Sequence, residues 1–128
     1  MKEDIKQRAD VEKLILAFYE KVKKDDTIGI IFNEVVQMEW EHHVPVIVDF
    51  WDSLLLNADR YHKNAMEPHF AINQKYPLSK KHFDRWVELF SDTVNEYFEG
   101  PVASLAITRA KSIAGIMLIK MDNINTAR

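Results

Sequence analysis

Apolar residues recur every three to four positions through most of this chain, and glycine and proline are scarce, with three and four copies. This spacing places an apolar stripe along each of several helices. Four long helices are predicted, over about residues 10–24, 39–56, 79–98 and 101–121, with a shorter one near 64–70. The pattern predicts an all-α fold and, by itself, leaves a helical bundle and a globin-like sandwich equally open.

Local signals mark the ends of these helices. Asp10 is predicted to cap the first helix, and lysines follow at its end. Gly100 and Pro101 mark the end of the third helix and the first turn of the last. Pro45 requires that the second helix either starts just before it or bends there. The last helix is expected to bury most of a set of apolar residues: Leu105, Ile113, Ile116, Met117 and Ile119.

Composition restricts the class of protein. The 128 residues suit a single domain, 1–128, and 47% hydrophobic with 29% charged residues is typical of a globular chain. A net charge of -3 gives no support for nucleic-acid binding. The absence of cysteine excludes disulfides, Cys-ligated zinc and thiol catalysis. The N-terminus is polar and no apolar run approaches a membrane span, so a cytoplasmic protein without a membrane partner is expected.

The histidines are the candidate metal ligands. Glu39 and His42 form one Glu-x-x-His motif, but a di-iron bundle needs a second such motif on another helix. His69, in "AMEPHF", is a single imidazole among apolar neighbours, which suits a haem ligand. The same residues also suit an ordinary core, in which His69 is a satisfied histidine and Tyr19 lies at the rim.

Four segments, taken in order, carry a resemblance to a known family. They are "FYEKVKKDDTIGIIF" (18–32), "WEHHVPVIVDFW" (40–51), "RYHKNAMEPHF" (60–70) and "HFDRWVELF" (82–90). Together they span most of the chain, and it resembles the group III truncated haemoglobins.

The resemblance implies a two-over-two helical sandwich, the truncated globin fold, around haem b (iron protoporphyrin IX). His69 then corresponds to the iron ligand. Tyr19, Trp86 and His43 correspond to residues on the opposite, ligand-binding side. His42 is the alternative to His43, because a small change in the helix start would exchange the two. The residues that correspond to the haem-packing walls are Phe18, Phe32, Ile47, Phe50, Met66, Ile72, Phe83 and Ile113.

The resemblance also implies a function. A haem protein of this kind is expected to bind dioxygen and related diatomic ligands, for oxygen, nitric oxide or peroxide redox chemistry rather than oxygen transport. Peroxidase-like turnover or nitric oxide detoxification would require an electron donor. Two alternatives are a haem-based sensor that acts through a separate partner and a haem-free helical module. The stretch between His69 and His82 is longer than expected, and the candidate haem-propionate partners are Tyr61, Lys63 and Lys75.

Overall fold

Four helices dominate the computed structural model, which describes residues 2–31, 40–56, 73 and 78–126, without the side chains of 40–43 and 126. They are α1 (Arg8–Lys24), α2 (Trp40–Leu56), α3 (Lys80–Tyr97) and α4 (Pro101–Thr126). No strand occurs within these described ranges. The prediction of an all-α fold is therefore confirmed. The short helix expected near 64–70 lies outside the described residues.

Helix α1 begins two residues earlier than predicted. Its N-cap is Gln7, and Asp10 lies in the first turn instead of at the cap. The Asp10 carboxylate accepts hydrogen bonds from the backbone N–H groups of Lys6 (2.9 Å) and Gln7 (3.2 Å). The prediction that Asp10 is the N-cap is therefore wrong. Asp10 still stabilises the start of the helix, because an acidic side chain in the first turn can reach back to the preceding N–H groups.

The apolar stripe of α1 forms the centre of the core. All five residues of this stripe are buried, and the turn that follows α1 adds Ile28 and Ile31. Phe32, a predicted haem-packing residue just after this turn, lies outside the described residues. The stripe consists of Val11, Leu14, Ile15, Phe18 and Val22.

Helix α2 runs through Pro45, which is exposed near its N-terminal end. The helix starts five residues before the proline, so Pro45 lies inside the helix, and the predicted start just before it is wrong. A bend at Pro45 stays a prediction. Arg8 on α1 ties the two helices together, since its Nη1 donates to Asp49 Oδ1 at 2.7 Å and Asp52 Oδ2 at 3.2 Å. Asp52 is almost fully buried, and this ion pair offsets the cost of burying its charge.

The corner between α3 and α4 is closed by the N-terminal segment. Gly100 adopts a positive φ of 145°, and Pro101 begins α4, as the sequence predicts. Asp4 caps α4 from a distance: its two carboxylate oxygens accept the N–H groups of Val102 (3.0 Å) and Ala103 (2.8 Å). Partial burial works to raise the pKa of Asp4, but these backbone donors outweigh it and hold the pKa below its ordinary value.

Helix α4 buries a stripe of small residues instead of its largest ones. Ile116 and Ile119 are 49% and 64% exposed, so the expectation that they are buried is wrong. Met117 is buried as predicted, while Leu105 and Ile113 are only partly buried. The buried side carries four alanines followed by two methionines, and alanine is small enough to allow close packing of helix backbones. The buried stripe is Ala103, Ala106, Ala110, Ala114, Met117 and Met121.

Helix α4 is also long and apolar enough to cross a membrane, by length and composition alone. The expectation that no apolar run approaches the length of a membrane span is therefore wrong, although core helices of soluble proteins pass the same test. Only 28% of this stretch is buried, and one side of α4 packs on α3. Helices α3 and α4 make the most extensive contact, α1 packs against both α2 and α3, and α2 makes a smaller contact with α4.

Candidate functional site

Three aromatic rings from α1 and α3 meet around Phe18. Its ring makes edge-to-face contacts with Tyr19 (centroids 4.9 Å apart), Phe90 (5.3 Å) and Trp86 (6.0 Å). Such geometry places the positive edge of one ring against the negative face of another. Phe18 and Phe90 are fully buried, whereas Trp86 is only partly buried. The two side chains with polar tips, Tyr19 and Trp86, are therefore both fixed on one apolar centre.

A stack of rings sets the position of Trp86. Its ring lies nearly parallel to Phe90, with centroids 5.7 Å apart, and Phe90 stacks on Trp51 of α2 at 4.7 Å. Trp51 in turn contacts Phe50 edge-to-face at 5.4 Å. The stack links α2 and α3 and restricts the orientation of the Trp86 indole, whose N–H can only donate a hydrogen bond.

Tyr19 is a neutral hydrogen-bond donor. It is 8% exposed, and burial raises the pKa of its phenol well above the ordinary value of 10.0. Ionisation is disfavoured because the charged form would lose its hydration. The phenol of Tyr19 therefore keeps its proton at physiological pH.

The predicted wall residues come from α2, α3 and α4. Phe83 is buried on α3, one turn before Trp86. Ile47 and Phe50 on α2 and Ile113 on α4 pack against the core but remain partly exposed. Their assignment to the haem-packing walls stays a prediction.

The remaining predicted site residues lie outside the described part of the chain. They are the predicted iron ligand His69, the wall residues Phe32, Met66 and Ile72, the side chains of His42 and His43, and the propionate candidates Tyr61, Lys63 and Lys75. Their roles stay predictions.

One relative supports the assignment of a family. The chain is 30% identical over 117 residues to the group 3 truncated hemoglobin ctb of Campylobacter jejuni subsp. jejuni serotype O:2, covering 89% of this chain and 90% of the relative. The chain is a group III truncated haemoglobin. No family model matches it.

A solved structure agrees with this truncated haemoglobin in fold. The crystal structure of the group III truncated hemoglobin from C. jejuni superposes with a TM-score of 0.81 at 27% identity, and covers 94% of this chain and 95% of that one. The two-over-two arrangement predicted from the resemblance is confirmed. Membership of the family implies a haem cofactor and small diatomic gases as ligands.

The described members of the predicted haem-packing set have the chemistry that a haem slot requires. All are apolar: Ile47, Phe50 and Ile113 are partly buried, and Phe83 is buried. Only Tyr19 and Trp86 add polar atoms to the described set of predicted pocket residues.

An ion pair next to Trp86 in the sequence was not among the predicted contacts. Arg85 Nε donates to Asp25 Oδ1 at 2.6 Å, and the other oxygen of Asp25 accepts the N–H groups of Thr27 and Ile28. Burial works to raise the pKa of Asp25, but Arg85 and the two backbone donors outweigh it and lower the pKa. An aspartate whose side chain bonds the backbone two residues later is a known turn motif. No local sequence pattern predicts that Arg85 is the partner of Asp25.

Proposed function

We propose that this truncated haemoglobin binds haem b through His69 and handles dioxygen, nitric oxide or peroxide in redox chemistry, not in oxygen transport. Bound haem supplies an iron with one position free for such a ligand. The observation that carries the proposal is the contact of Tyr19 and Trp86 with the same buried Phe18 ring. Two donors held on one apolar centre can act together on one small ligand.

The two donors favour ligands that accept hydrogen bonds. Each bond adds about 1 kcal/mol in net terms, and more when the acceptor carries negative charge. A pocket with two such donors therefore releases an oxygen ligand slowly, which opposes a transport role. Because the Tyr19 phenol is hard to ionise, it acts as a donor that keeps its proton.

The apolar walls contribute by excluding water. The predicted wall side chains cannot form hydrogen bonds, so a bound ligand would form them with Tyr19 and Trp86. These wall residues are Ile47, Phe50, Phe83 and Ile113. Donors in a water-poor site act more strongly than the same donors in water. His43 is proposed to be a further residue on the ligand side. Redox turnover, whether peroxidase-like or nitric-oxide-detoxifying, needs an electron donor, and the cytoplasm is the compartment that we propose.

Absorption spectroscopy of the purified full chain tests the proposal. We expect a Soret band that His69→Ala abolishes, while His62→Ala, the same substitution seven residues earlier, leaves it in place. A chain that stays colourless after haem is added, or a Soret band unaffected by His69→Ala, contradicts the assignment.

Stopped-flow mixing of the ferrous protein with dioxygen, nitric oxide and peroxide then tests the redox assignment. Fast oxygen release without reaction towards nitric oxide or peroxide would favour a transport role instead.

A further inference from the structure

Helix α4 exposes more apolar surface than any other described helix. Five large apolar residues of the described chain are exposed, and three of them lie in the second half of α4. Ile116 and Ile119, the latter 64% exposed, lie on the side opposite the buried stripe of this helix, and Ile124 lies at the edge of that side. We refer to Ile116, Ile119 and Ile124 as the isoleucine face.

Basic side chains surround the isoleucine face. Arg109, Lys111 and Lys120 lie within two helical turns of Ile116 or Ile119, and all three are exposed. No ion pair between residues that the structure describes includes any of the three. Their positive charges are therefore available to an external anion.

The charge of α4 is opposite to that of the rest of the chain. The helix carries three basic residues and one acidic residue, Asp122, whereas the remainder carries 14 basic and 19 acidic residues. Leu16 on α1 shows the contrast, because it is 54% exposed but has Glu12 and Glu20 one turn to either side. The isoleucine face thus combines apolar surface with positive charge, which the surface around Leu16 does not.

An anionic bilayer complements this combination. Isoleucine side chains can enter the boundary between headgroups and acyl chains, while long lysine and arginine side chains reach the lipid phosphates. The cytoplasmic leaflet carries the negative charge that such a surface requires. A second copy of the chain fits less well, because two α4 helices related by a two-fold axis would bring two positive surfaces together.

Helix α4 would lie along the bilayer surface and would not cross it. Its buried stripe packs in the core, and α3 and α4 make the most extensive helix contact of the described structure. Crossing the bilayer would break this contact, whereas docking on the surface uses only side chains that already face away from the core. Surface docking therefore leaves the fold unchanged.

We infer that α4 is a membrane-docking surface, and that the isoleucine face and its three basic neighbours hold this truncated haemoglobin on anionic lipid. The expectation that the protein has no membrane partner rested on finding no long apolar segment, and α4 is such a segment. The docking does not depend on haem. If the proposed function also holds, docking places the haem beside the hydrocarbon layer, where dioxygen and nitric oxide dissolve more readily than in water.

Vesicle sedimentation with the purified full chain tests the inference. We expect the chain to pellet with vesicles of equal parts phosphatidylcholine and phosphatidylglycerol, and to stay in solution with phosphatidylcholine alone. High salt should release it from the anionic vesicles, because salt screens charges at a surface. Equal binding to both lipids, or binding that salt does not weaken, contradicts the role of the basic residues.

Single substitutions separate the two contributions to docking. Lys120→Gln should weaken partitioning onto anionic vesicles about fivefold, the effect of one cation near an anionic surface. Ile119→Ser should weaken it about tenfold, because less apolar surface is buried in the bilayer. Leu16→Ser, the matched control at an exposed residue between two acids, should leave partitioning unchanged. Because all three positions are exposed, the variants should keep the circular dichroism spectrum of the parent protein.

A fluorescent label reports which surface of the protein meets the lipid. The chain has no cysteine, so Ser112→Cys and Leu16→Cys each provide a single site for an environment-sensitive dye. Ser112 is exposed one turn before Ile116. The dye emission should shift to the blue on anionic vesicles at position 112 and stay unchanged at position 16. A shift at both positions, or at neither, overturns the inference.

Sedimentation velocity without lipid distinguishes a membrane from a second copy of the chain. We expect a monomer. A dimer that Ile119→Ser dissociates, together with no binding to vesicles, would assign the isoleucine face to a second copy and overturn the inference. The proposed function is tested separately, because a Soret band that is unaffected by His69→Ala contradicts the haem assignment without changing the vesicle result.

Discussion

At the scale of single residues, the phenol of Tyr19 gives a direct kinetic prediction. Tyr19→Phe keeps the ring against Phe18 but removes the hydroxyl donor. The oxygen dissociation rate should rise about fivefold, which corresponds to one net hydrogen bond. Stopped-flow replacement of oxygen by carbon monoxide measures this rate.

The matched control for this prediction is Tyr97→Phe, at a partly buried tyrosine on α3 whose ring lies beneath the Lys13 ammonium. This variant should leave the oxygen dissociation rate unchanged. Equal rates in Tyr19→Phe and the parent protein would remove Tyr19 from the set of ligand-stabilising residues.

The Asp25 carboxylate is the residue on which the α1 turn and α3 depend most directly. Asp25→Ala leaves Arg85 Nε and two backbone N–H groups without their acceptor. The free energy of unfolding should fall by about 2 kcal/mol, as expected for a largely buried acceptor with a charged partner. Urea titration followed by circular dichroism measures it.

Asp84→Ala is the comparison for Asp25→Ala, because it breaks the exposed Lys80–Asp84 pair with the same substitution. Exposed pairs contribute little, so the unfolding free energy should change by less than about 0.5 kcal/mol. If the unfolding free energy falls equally in the two variants, the contacts of Asp25 stabilise the fold no more than an exposed ion pair does.

At this scale, what the sequence can predict depends on how far apart the partners lie. Tyr19 and Trp86 are recognisable as candidate ligand-side donors because each lies in one of the four segments that resemble the family. The partners Asp25 and Arg85 are separated by 60 residues, and charge pairing over that distance has no periodic signal. The side-chain amides of Asn73 and Asn125, 52 residues apart, form a hydrogen bond that is hidden for the same reason.

At the scale of elements, the corner between α3 and α4 depends on one glycine. A Cβ at Gly100 would lie 2.5 Å from Asp4 Cγ, and its φ of 145° is a conformation that other residues rarely adopt. Gly100→Ala should lower the unfolding free energy by about 2 kcal/mol, from backbone strain and from displacement of the Asp4 cap.

Gly115→Ala provides the contrast within α4, because a Cβ there has nothing within 4 Å. In a helix interior this exchange should raise stability by about 1 kcal/mol, since alanine is the better helix former. Thermal unfolding of both variants measures the change in stability. If the melting temperature shifts in the same direction in Gly100→Ala and Gly115→Ala, the corner at Gly100 is not strained as described.

Periodicity predicts the helices themselves better than their inward faces. The stripe of α1 is unambiguous because its large apolar residues lie on one side only. Helix α4 has large apolar residues on several sides, and counting them favours Ile116 and Ile119. Alanine carries little weight in such a count, yet close backbone packing selects the alanine side.

For the whole molecule, His82 makes stability depend on pH near neutrality. Its Nδ1 accepts the Ser79 N–H at 3.0 Å, and burial, helped by Lys81, lowers the pKa of its imidazole from 6.5. Below that value the unfolded chain takes up a proton that the folded chain resists. The stabilisation is therefore complete above pH 6.5 and is lost as pH falls through the folded pKa.

Replacing the imidazole tests this pH dependence. His82→Gln keeps an acceptor without a titrating group, so its urea midpoint should fall less between about pH 8 and pH 5 than that of the parent protein. In His62→Gln the urea midpoint should fall with pH as much as in the parent protein. If the midpoint falls equally in all three proteins, the pH dependence of stability comes from other groups. Asp4 and Asp25 cause a second loss of stability at lower pH. The pKa of each carboxylate lies below its ordinary value of 3.8, so the stabilisation is lost as pH falls below 3.8 and through the folded pKa.

The alanine stripe of α4 has a consequence for how the pocket can change over evolution. Alanine has no side-chain torsion to rearrange, so a larger residue at the fully buried Ala106 or Ala110 must displace a helix that packs against α4. Helix α3 carries Phe83 and Trp86 and α4 carries Ile113, all predicted pocket residues, so such a displacement would also change the spacing of the predicted pocket. Related proteins with a wider or narrower pocket are therefore expected to differ in α1 and α2 and to keep small residues at these two positions.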